Sequence, residues 1–218
     1  SALASKATGF PIALVSAMLA AGLTLDEMEC GKYGTLDKYV PDGDYVVIKF
    51  ARWAFEKFKG SKDALGTQMR AVGEVMSIGK TYKEAFQKAI RSLEIGRYGL
   101  GHAKNFDSLS KEELLHKLSE PTSERQFVMY EALRKGATVE ELHELTGIKN
   151  YFIEQMKELV EEEEALLAYA GKKLPKEVLM QAKQDGFSDK YLSQILAVDE
   201  AVIREQRLHY GITQAWEG

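Results

Sequence analysis

Apolar residues near the start of the chain are spaced as they are in a helix. Five of them lie between a proline and a glycine: Pro11, Ile12, Leu14, Val15, Met18, Leu19 and Gly22. Because these apolar positions cover nearly every face, we expect the helix to be buried on several sides. Thr24 and Glu27 have capping-box spacing and predict a short turn. The stretch from Cys30 to Gly43, with three glycines and one proline, is predicted as a loop.

Two β-branched and apolar runs follow and are predicted as strands, Tyr45–Phe50 and Gly73–Gly79. Thr81 with Glu84 then predicts a capped helix that ends at Gly96. Its apolar positions, which share one face, are Ala85, Phe86, Ala89, Ile90 and Leu93. Two strands need further strands or a helical layer to bury both faces. We therefore interpret residues 1–95, which open at Ser1 without a methionine, as the carboxyl-terminal part of a larger domain.

The remainder of the chain has helical patterns and no convincing strand after Gly99. One helix is predicted to open at Ser108 or Ser110 and to run through Leu118. The next opens at Pro121 and Thr122 and continues to about Lys135. The predicted fold class is mainly α, an incomplete α/β part in residues 1–95 followed by an all-helical domain in residues 96–218.

The helical part contains an internal repeat with a period of 50 residues. Six positions of the first copy recur in the second as a residue of similar type: Gly136, Thr138, Leu142, Leu145, Ile148 and Ile153 recur as Gly186, Ser188, Leu192, Ile195, Val198 and Ile203. Each copy has a hydroxyl N-cap, a short helix, a turn and a second helix. The pattern predicts two related helical hairpins packed as a pseudo-symmetric bundle.

Charge also divides the chain near Gly96. The 218 residues carry a net charge of −4 and are 45% hydrophobic, which excludes a disordered chain and a strongly basic nucleic-acid binder. Residues 1–95 have a net charge of +2 (13 Lys and Arg, 11 Asp and Glu), and residues 96–218 have −6 (16 against 22). The apolar run from Phe10 to Leu23 is too short for a membrane span and lacks the flanks of a secretory signal. The single cysteine, Cys30, forbids an internal disulfide. We expect a soluble, cytoplasmic protein that contacts no membrane.

The first repeat unit resembles the opening of a DNA-binding helix-turn-helix, from Thr138 to Ile148. Its second helix would then need basic or amide side chains for the major groove. Residues 137–170 instead hold nine Glu and two Lys, which phosphate would repel. We therefore favour a packing hairpin and expect no nucleic-acid partner. The run Glu161 to Glu164 is interpreted as a solvated helix face rather than a cation site.

No other residues form a self-sufficient active site in the sequence. His102, His116, His143 and His209 share no metal-ligand spacing and are interpreted as surface or helix-end residues. Cys30 has only Lys32 nearby to activate it, so a nucleophile there is weakly supported. The glycines of Gly96–Gly101 have the wrong spacing for a phosphate loop and follow a helix. We predict no catalytic, cofactor-binding or metal-binding residue.

Five segments carry long and specific motifs: Ser1–Ala13, Asp44–Lys49, Phe55–Phe58, Gly66–Gly79 and Ala89–Glu94. Together they closely resemble the large subunit of glutamine-hydrolysing carbamoyl-phosphate synthetase. The likeness is dense over residues 1–95 and looser over residues 96–218. The chain departs from the family pattern at Phe50–Trp53, in a short loop around Tyr33 and in lacking the closing motif after Trp216.

The resemblance implies that residues 1–95 end the first ATP-grasp module, which makes carboxyphosphate, and that residues 96–218 form the helical oligomerisation domain. The parent ligase would make carbamoyl phosphate, for arginine or pyrimidine synthesis, from bicarbonate, glutamine-derived ammonia and two ATP. It would use Mg²⁺ or Mn²⁺ and potassium. The family's metal ligands and phosphate-contacting arginines lie upstream of Ser1, so none is carried onto this chain, and we expect it to be inert alone.

Expected partners are the rest of the large subunit, the small glutaminase subunit and further copies joined through residues 96–218. The alternative hypothesis is a free-standing helical interaction module or a helix-turn-helix DNA-binding module.

Overall fold

A computed structural model describes residues 2–29, 31, 34–53, 55, 60–102 and 106–213. Its helices are α1 (Ala2–Thr8), α2 (Ile12–Ala20), α3 (Tyr82–Ser92), α4 (Lys111–Lys117), α5 (Arg125–Arg134), α6 (Val139–Thr146), α7 (Asn150–Leu167), α8 (Lys176–Gln184), α9 (Asp189–Leu196) and α10 (Glu200–His209). Its strands are β1 (Val46–Trp53) and β2 (Ala71–Gly79). Single 3₁₀ turns lie at Leu25–Glu27, Leu36–Lys38 and Phe106–Ser108. The mainly α character is confirmed, and no strand follows Gly99 among the residues described.

The two predicted strands are confirmed and pair as an antiparallel hairpin. Val46 lies opposite Gly79, and the register holds to Arg52 opposite Gly73, with an irregularity before Trp53. One face rests on α3, where the rings of Phe50 and Phe86 are 6.0 Å apart. A strand pair with one covered face is more stable than an isolated hairpin.

Helix α3 joins the hairpin to the helical part of the chain. Thr81 caps it by accepting a hydrogen bond from the Glu84 amide, and all five predicted apolar positions are buried. From its far side, Gln87 Nε2 donates to the carbonyl of Asp185 (2.9 Å) and Arg91 Nη1 donates to that of Gly186 (3.0 Å). The main hydrophobic core includes residues on both sides of Gly96. The predicted domain boundary at that glycine stays a prediction.

The 50-residue repeat is visible in the structure. Helix pairs α6–α7 and α9–α10 begin at side-chain caps, where Thr138 accepts from the Glu141 amide and Ser188 from the Tyr191 amide. Both first helices end in a left-handed residue, Gly147 (φ 71°) and Ala197 (φ 54°). The matched leucines and isoleucines at the centre of each pair are fully buried, as the pattern requires: Leu142, Ile153, Leu192 and Ile203.

The repeat also includes a preceding helix in each copy, which the sequence pattern missed. Helix α5 ends at Gly136 (φ 91°) and α8 ends at Gly186 (φ 92°). After each glycine the next amide bonds back to an alanine carbonyl five residues earlier, both at 2.9 Å, from Ala137 and Phe187 respectively. Each unit is therefore three helices, α5–α7 and α8–α10, around one core.

Helix α4 begins after Ser110, one of the two predicted caps, whose side chain accepts from the Glu113 amide at 3.2 Å. Helix α5 begins at Arg125, later than the predicted Pro121 and Thr122. The helix begins later because the loop between β1 and β2 is hydrogen-bonded to residues 121–123. Leu65 donates its amide to the Pro121 carbonyl (2.7 Å), and Asp63 accepts the Ser123 amide (2.9 Å).

The expectation that α2 is buried on several sides is wrong within this chain. None of its residues is buried, and Leu14 is 59% exposed. No described element covers its outer faces, because residues 2–44 pack mainly against one another. Phe10 stacks on Tyr39 at 5.0 Å, and Tyr45 Oη donates to the Ala7 carbonyl (2.5 Å).

The remaining predictions for residues 2–44 are partly confirmed. The Thr24 amide donates to Glu27 Oε2 (2.8 Å) in the predicted capping box. The predicted loop contains the turn Leu36–Lys38, while Cys30 and Lys32 lie outside the described residues. No single described helix is long and apolar enough to cross a membrane. Taken together, α1 and α2 have the required length and apolar composition, but the chain bends by 118° between them.

Candidate functional site

The acidic run at Glu161 to Glu164 is not a uniformly solvated face. Glu161 and Glu164 are exposed, but the Glu163 side chain is 0% exposed. Glu163 lies on the face of α7 that carries the buried residues Leu159 and Leu166. A four-residue run spans the whole circumference of a helix, so one member must face the core when the helix is packed. The sequence-based interpretation is therefore wrong for this residue.

Residues from two other segments, α5 and the segment before α4, contact the buried carboxylate. Arg134 Nη2 of α5 lies 2.7 Å from Glu163 Oε1, and the Tyr130 hydroxyl donates to Oε2. His102 Nε2 lies 3.6 Å from Oε1 at the exposed side. Removing a buried carboxylate from water is costly unless such partners compensate it. Glu163 therefore fixes α5 against α7 and holds the segment that precedes α4.

The glycine-rich segment before α4 has a packing role that motif spacing did not indicate. A Cβ on Gly99 would lie 2.4 Å from the Tyr191 ring, and one on Gly101 would lie 2.4 Å from its hydroxyl. The Gly101 amide donates to Tyr191 Oη at 2.9 Å. Burial raises the pKa of Tyr191 and of Tyr130 well above the ordinary value, which keeps both hydroxyls protonated as donors. Only glycine lets the backbone approach this closely.

A second acidic contact lies where α3, α7 and the turn after α8 meet. Burial, and then the nearby carboxylate of Asp185, raise the pKa of Glu162 to about 8. Lys83 of α3 opposes this shift and forms an ion pair with Glu158, one turn earlier on α7. Gln181 Nε2 donates to Asp185 Oδ2 at 2.7 Å. With a pKa of about 8, the Glu162 carboxyl is largely protonated at neutral pH.

An ion-pair network centred on Asp189, the first residue of α9, joins the helices of the second repeat. Its carboxylate accepts from Lys183 Nζ at 2.9 Å and from Arg207 Nη2 of α10 at 3.1 Å. Burial alone would raise the pKa of Asp189, but these two cations hold it below its ordinary value. Arg207 Nη1 also donates to the carbonyls of Ile212 and Thr213, both at 2.9 Å. This ion-pair network therefore connects α8, α9 and α10.

Apolar side chains remain exposed over the hairpin and the amino-terminal helices. Met76 and Ile78 of β2 are 37% and 39% exposed on the sheet face away from α3. Lys49 and Glu74 cross that face as an ion pair of 2.5 Å. With the exposed leucines of α2, this uncovered surface is typical of a contact with further protein.

The prediction that the histidines are surface or helix-end residues is confirmed for all four. His116, His143 and His209 lie in the last turns of α4, α6 and α10, and His143 Nδ1 lies 2.7 Å from the Ile148 carbonyl. His102 is a surface residue beside the buried Glu163, with its side chain 42% exposed. Within the described part of the chain, no group of three or more His, Cys, Asp or Glu side chains is placed to hold a metal ion.

The helix that would read DNA in the alternative hypothesis is a core helix here. Helix α7 buries Ile153, Met156, Leu159 and Val160 among the residues of its central turns. Its exposed positions are rich in glutamate, which opposes contact with phosphate. The geometry defines a helical packing module that carries a hairpin with one uncovered face.

Comparison with known proteins agrees with this class. Residues 74–211 match the family described as carbamoyl-phosphate synthetase large chain, oligomerisation domain. The carbamoyl phosphate synthase large chain of Archaeoglobus fulgidus is 47% identical over 97% of this chain and 20% of its own length. The large chain of Clostridium botulinum is 43% identical over all of this chain and 20% of its own length. The N-terminal section of the Methanopyrus kandleri large chain is 44% identical over all of this chain and 41% of that section.

The chain belongs to the family of carbamoyl-phosphate synthetase large chains, and its residues 74–211 are the oligomerisation domain. The resemblance to that family is thereby confirmed, and it favours the packing interpretation over DNA binding. The chain spans about a fifth of the length of two of these relatives.

Proposed function

We propose that this chain is the part of a carbamoyl-phosphate synthase large subunit that ends the first ATP-grasp module and forms the association domain after it. The observation that carries the proposal is that the whole chain aligns with about a fifth of large chains of that enzyme, at 43–47% identity. The uncovered apolar face of the hairpin and α2 supports a role as a piece packed against further protein.

The parent protein is an ATP-dependent ligase that makes carbamoyl phosphate from bicarbonate, glutamine-derived ammonia and two ATP. It acts in the cytoplasm, in arginine or pyrimidine synthesis, with a small glutaminase subunit. The parent uses ATP with Mg²⁺ or Mn²⁺, and potassium; as the resemblance implies, the metal ligands, phosphate-contacting arginines and nucleotide-binding residues of its first module lie upstream of Ser1. No step of phosphoryl transfer is assigned to the residues of this chain, whose role is scaffolding and subunit association.

The rigidity of the described contacts supports the scaffold role. The hairpin loop is bound to the start of α5 through Asp63, and α3 is bound to the turn between α8 and α9 through Gln87 and Arg91. The hairpin therefore cannot rotate about Gly96 without breaking buried hydrogen bonds. Such a connection would keep the first ATP-grasp module in a fixed orientation to the association domain.

Light scattering on the purified chain over a concentration series tests association, and isothermal titration with Mg·ATP tests inertness. We expect a reversible dimer or larger species, no ATP binding and no carbamoyl phosphate. A strict monomer at high concentration would contradict association through this chain. ATP binding or product formation by the isolated chain would contradict the scaffold role.

A further inference from the structure

A groove of about 330 Å³ runs along the edge of β1 that faces away from β2. Consecutive β1 residues from Val47 to Ala51 form one wall, and β2 contributes none of the lining. The opposite wall is aromatic, with Tyr82 and Phe86 of α3 and Phe152 of α7. We call this space the edge groove.

The edge groove opens at the end of β1 towards a recess of about 450 Å³ that shares Phe50, Ala51, Trp53 and Ser123 with it. The combined space follows β1 over most of its length. Its shape is that of a slot beside a strand rather than of a closed ligand cavity.

Half of the β1 backbone groups point into this space. In an antiparallel pair, alternate residues direct their N–H and C=O groups away from the partner strand. No backbone hydrogen bond reaches the outer edge of β1 from any residue that the structure describes. An unpaired edge beside an apolar slot is the geometry into which an extended segment adds as a further strand.

The charges around the edge groove favour an acidic segment as its occupant. The charged residues lining the edge groove are Lys49 and Arg125, with no carboxylate. Lys49 is already paired with Glu74 on the sheet face away from α3, so Arg125 is the cation available to an occupant. Arg125 makes no ion pair with any residue in the described part of the chain. A half-buried guanidinium facing an aromatic slot is a natural partner for a carboxylate.

A second cation lies in the adjoining recess and has an unused donor. Arg97 is stacked on the Phe127 ring at 3.8 Å, and its Nη2 pairs with Glu124 at 2.8 Å. Its side chain is only 8% exposed, and its Nη1 has no hydrogen-bond partner. A buried donor without a partner costs free energy, so a segment that brings an acceptor to this recess would be stabilised.

We propose that the edge groove holds an extended acidic segment from the part of the same large chain that lies outside these 218 residues. The segment pairs with the outer edge of β1, packs apolar side chains on Tyr82 and Phe152, and sets a carboxylate against Arg125. This inference rests on the proposed function, because the relatives are about five times longer than the chain and supply the polypeptide needed.

Residue-resolved hydrogen exchange compares the isolated chain with the intact large chain. Alternate β1 amides, those that point into the edge groove, should exchange at least about ten-fold more slowly in the intact protein. Arg125→Glu should restore fast exchange there, while Arg204→Glu, an exposed charge reversal on α10, should not. Equal exchange in the isolated and intact proteins would overturn the proposal.

Photo-cross-linking in the intact protein identifies the occupant. A photoreactive phenylalanine analogue replaces Phe152, which is 42% exposed, and in the control replaces Leu208, which is 54% exposed. A mixture of ¹⁴N- and ¹⁵N-labelled subunits separates links within one chain from links between copies. We expect the analogue at position 152 to join an Asp- or Glu-containing peptide of the same chain from outside residues 1–218. Links only between copies, only within residues 1–218, or to a peptide without Asp or Glu would overturn the proposal.

Carbamoyl phosphate formation is measured on the same intact preparation. If product forms but β1 exchange is unchanged, the edge-groove proposal fails while the proposed function stands. If no product forms, the proposed function fails, and the exchange and cross-linking results still decide the edge-groove proposal.

Discussion

Replacing the buried Glu163 with glutamine removes one charge from the core of the helical part while keeping its volume. The amide carbonyl can still accept from Tyr130, but the Arg134 guanidinium, with a side chain only 22% exposed, loses the carboxylate at 2.7 Å. The guanidinium keeps Glu164 Oε1 at 3.2 Å and Glu131 Oε2 at 4.0 Å, so the perturbation is a poorly solvated cation that has lost the nearest of its three carboxylates.

The size of the effect follows from the distance. Two unit charges 2.7 Å apart attract by about 6 kcal/mol at an effective dielectric constant of about 20. Desolvation offsets part of that attraction, and removal of one partner of a buried pair costs about 3–5 kcal/mol. Because glutamine retains one hydrogen bond and Arg134 keeps Glu164 and Glu131 nearby, we expect a loss of about 2 kcal/mol in the free energy of unfolding, which corresponds to a fall of roughly 4–8 °C in Tm for a chain of this length.

Urea unfolding at fixed protein concentration measures this change. Glu161→Gln is the matched control, since Glu161 belongs to the same acidic run and its side chain is 64% exposed. It should change the free energy of unfolding by less than about 0.5 kcal/mol. Arg134→Met should lower the free energy of unfolding by less in the Glu163→Gln background than alone, since the cation that has lost its nearest carboxylate is then removed.

A loss below about 1 kcal/mol for Glu163→Gln, or strict additivity with Arg134→Met, would refute the reasoning. Either result would mean that water or other groups stabilise the guanidinium as well as Glu163 does.

Three further predictions concern the repeat, the Glu162 carboxyl and the glycine segment. Ala197→Gly removes the strain of an alanine with a left-handed backbone conformation and should stabilise the chain by up to about 1 kcal/mol. Gly147→Ala at the matching position should destabilise it by about as much, and urea midpoints measure both changes. The pKa of Glu162 is about 8 in the folded chain and near 4.3 in the unfolded chain, so the free energy of unfolding should fall as pH rises between those values and level off above them. Glu162→Gln should flatten that slope. An unchanged slope would contradict the assignment of the raised pKa to Glu162. Gly101→Ala should cost about 1–3 kcal/mol in thermal unfolding, while Gly66→Ala, with open space around it, should cost far less.

Local signals in the sequence were sufficient for most elements. A hydroxyl residue with a glutamate three residues later located the turn Leu25–Glu27 and the start of α3, since these side chains can satisfy amides that the first turn leaves unpaired. Runs of β-branched and apolar residues located β1 and β2, and a period-3.6 pattern located α3, whose predicted apolar face is buried. The repeat could be found because related packing positions require residues of similar size.

The misses depend on long-range packing. Glu163 differs from its neighbours only in the direction it faces, and its partners Arg134 and His102 lie about 30 and about 60 residues earlier in the chain. The close approach of Gly101 to a tyrosine ring leaves no motif in the sequence. Helix α2 was expected to be buried because it is apolar, but burial needs a covering element, which composition alone cannot supply.

The uneven burial along the chain implies that it does not unfold in one step. Helices α1 and α2 contribute no buried residue, whereas α5, α7 and α9 each contribute several. The free energy of local opening should therefore be lowest in α1 and α2, higher around the buried Met28 and Leu36, and close to the global value in the helical repeats. A brief protease digest should first remove the amino-terminal segment and leave a resistant fragment that begins near the hairpin. That fragment would be the smallest piece able to refold as a cooperative unit.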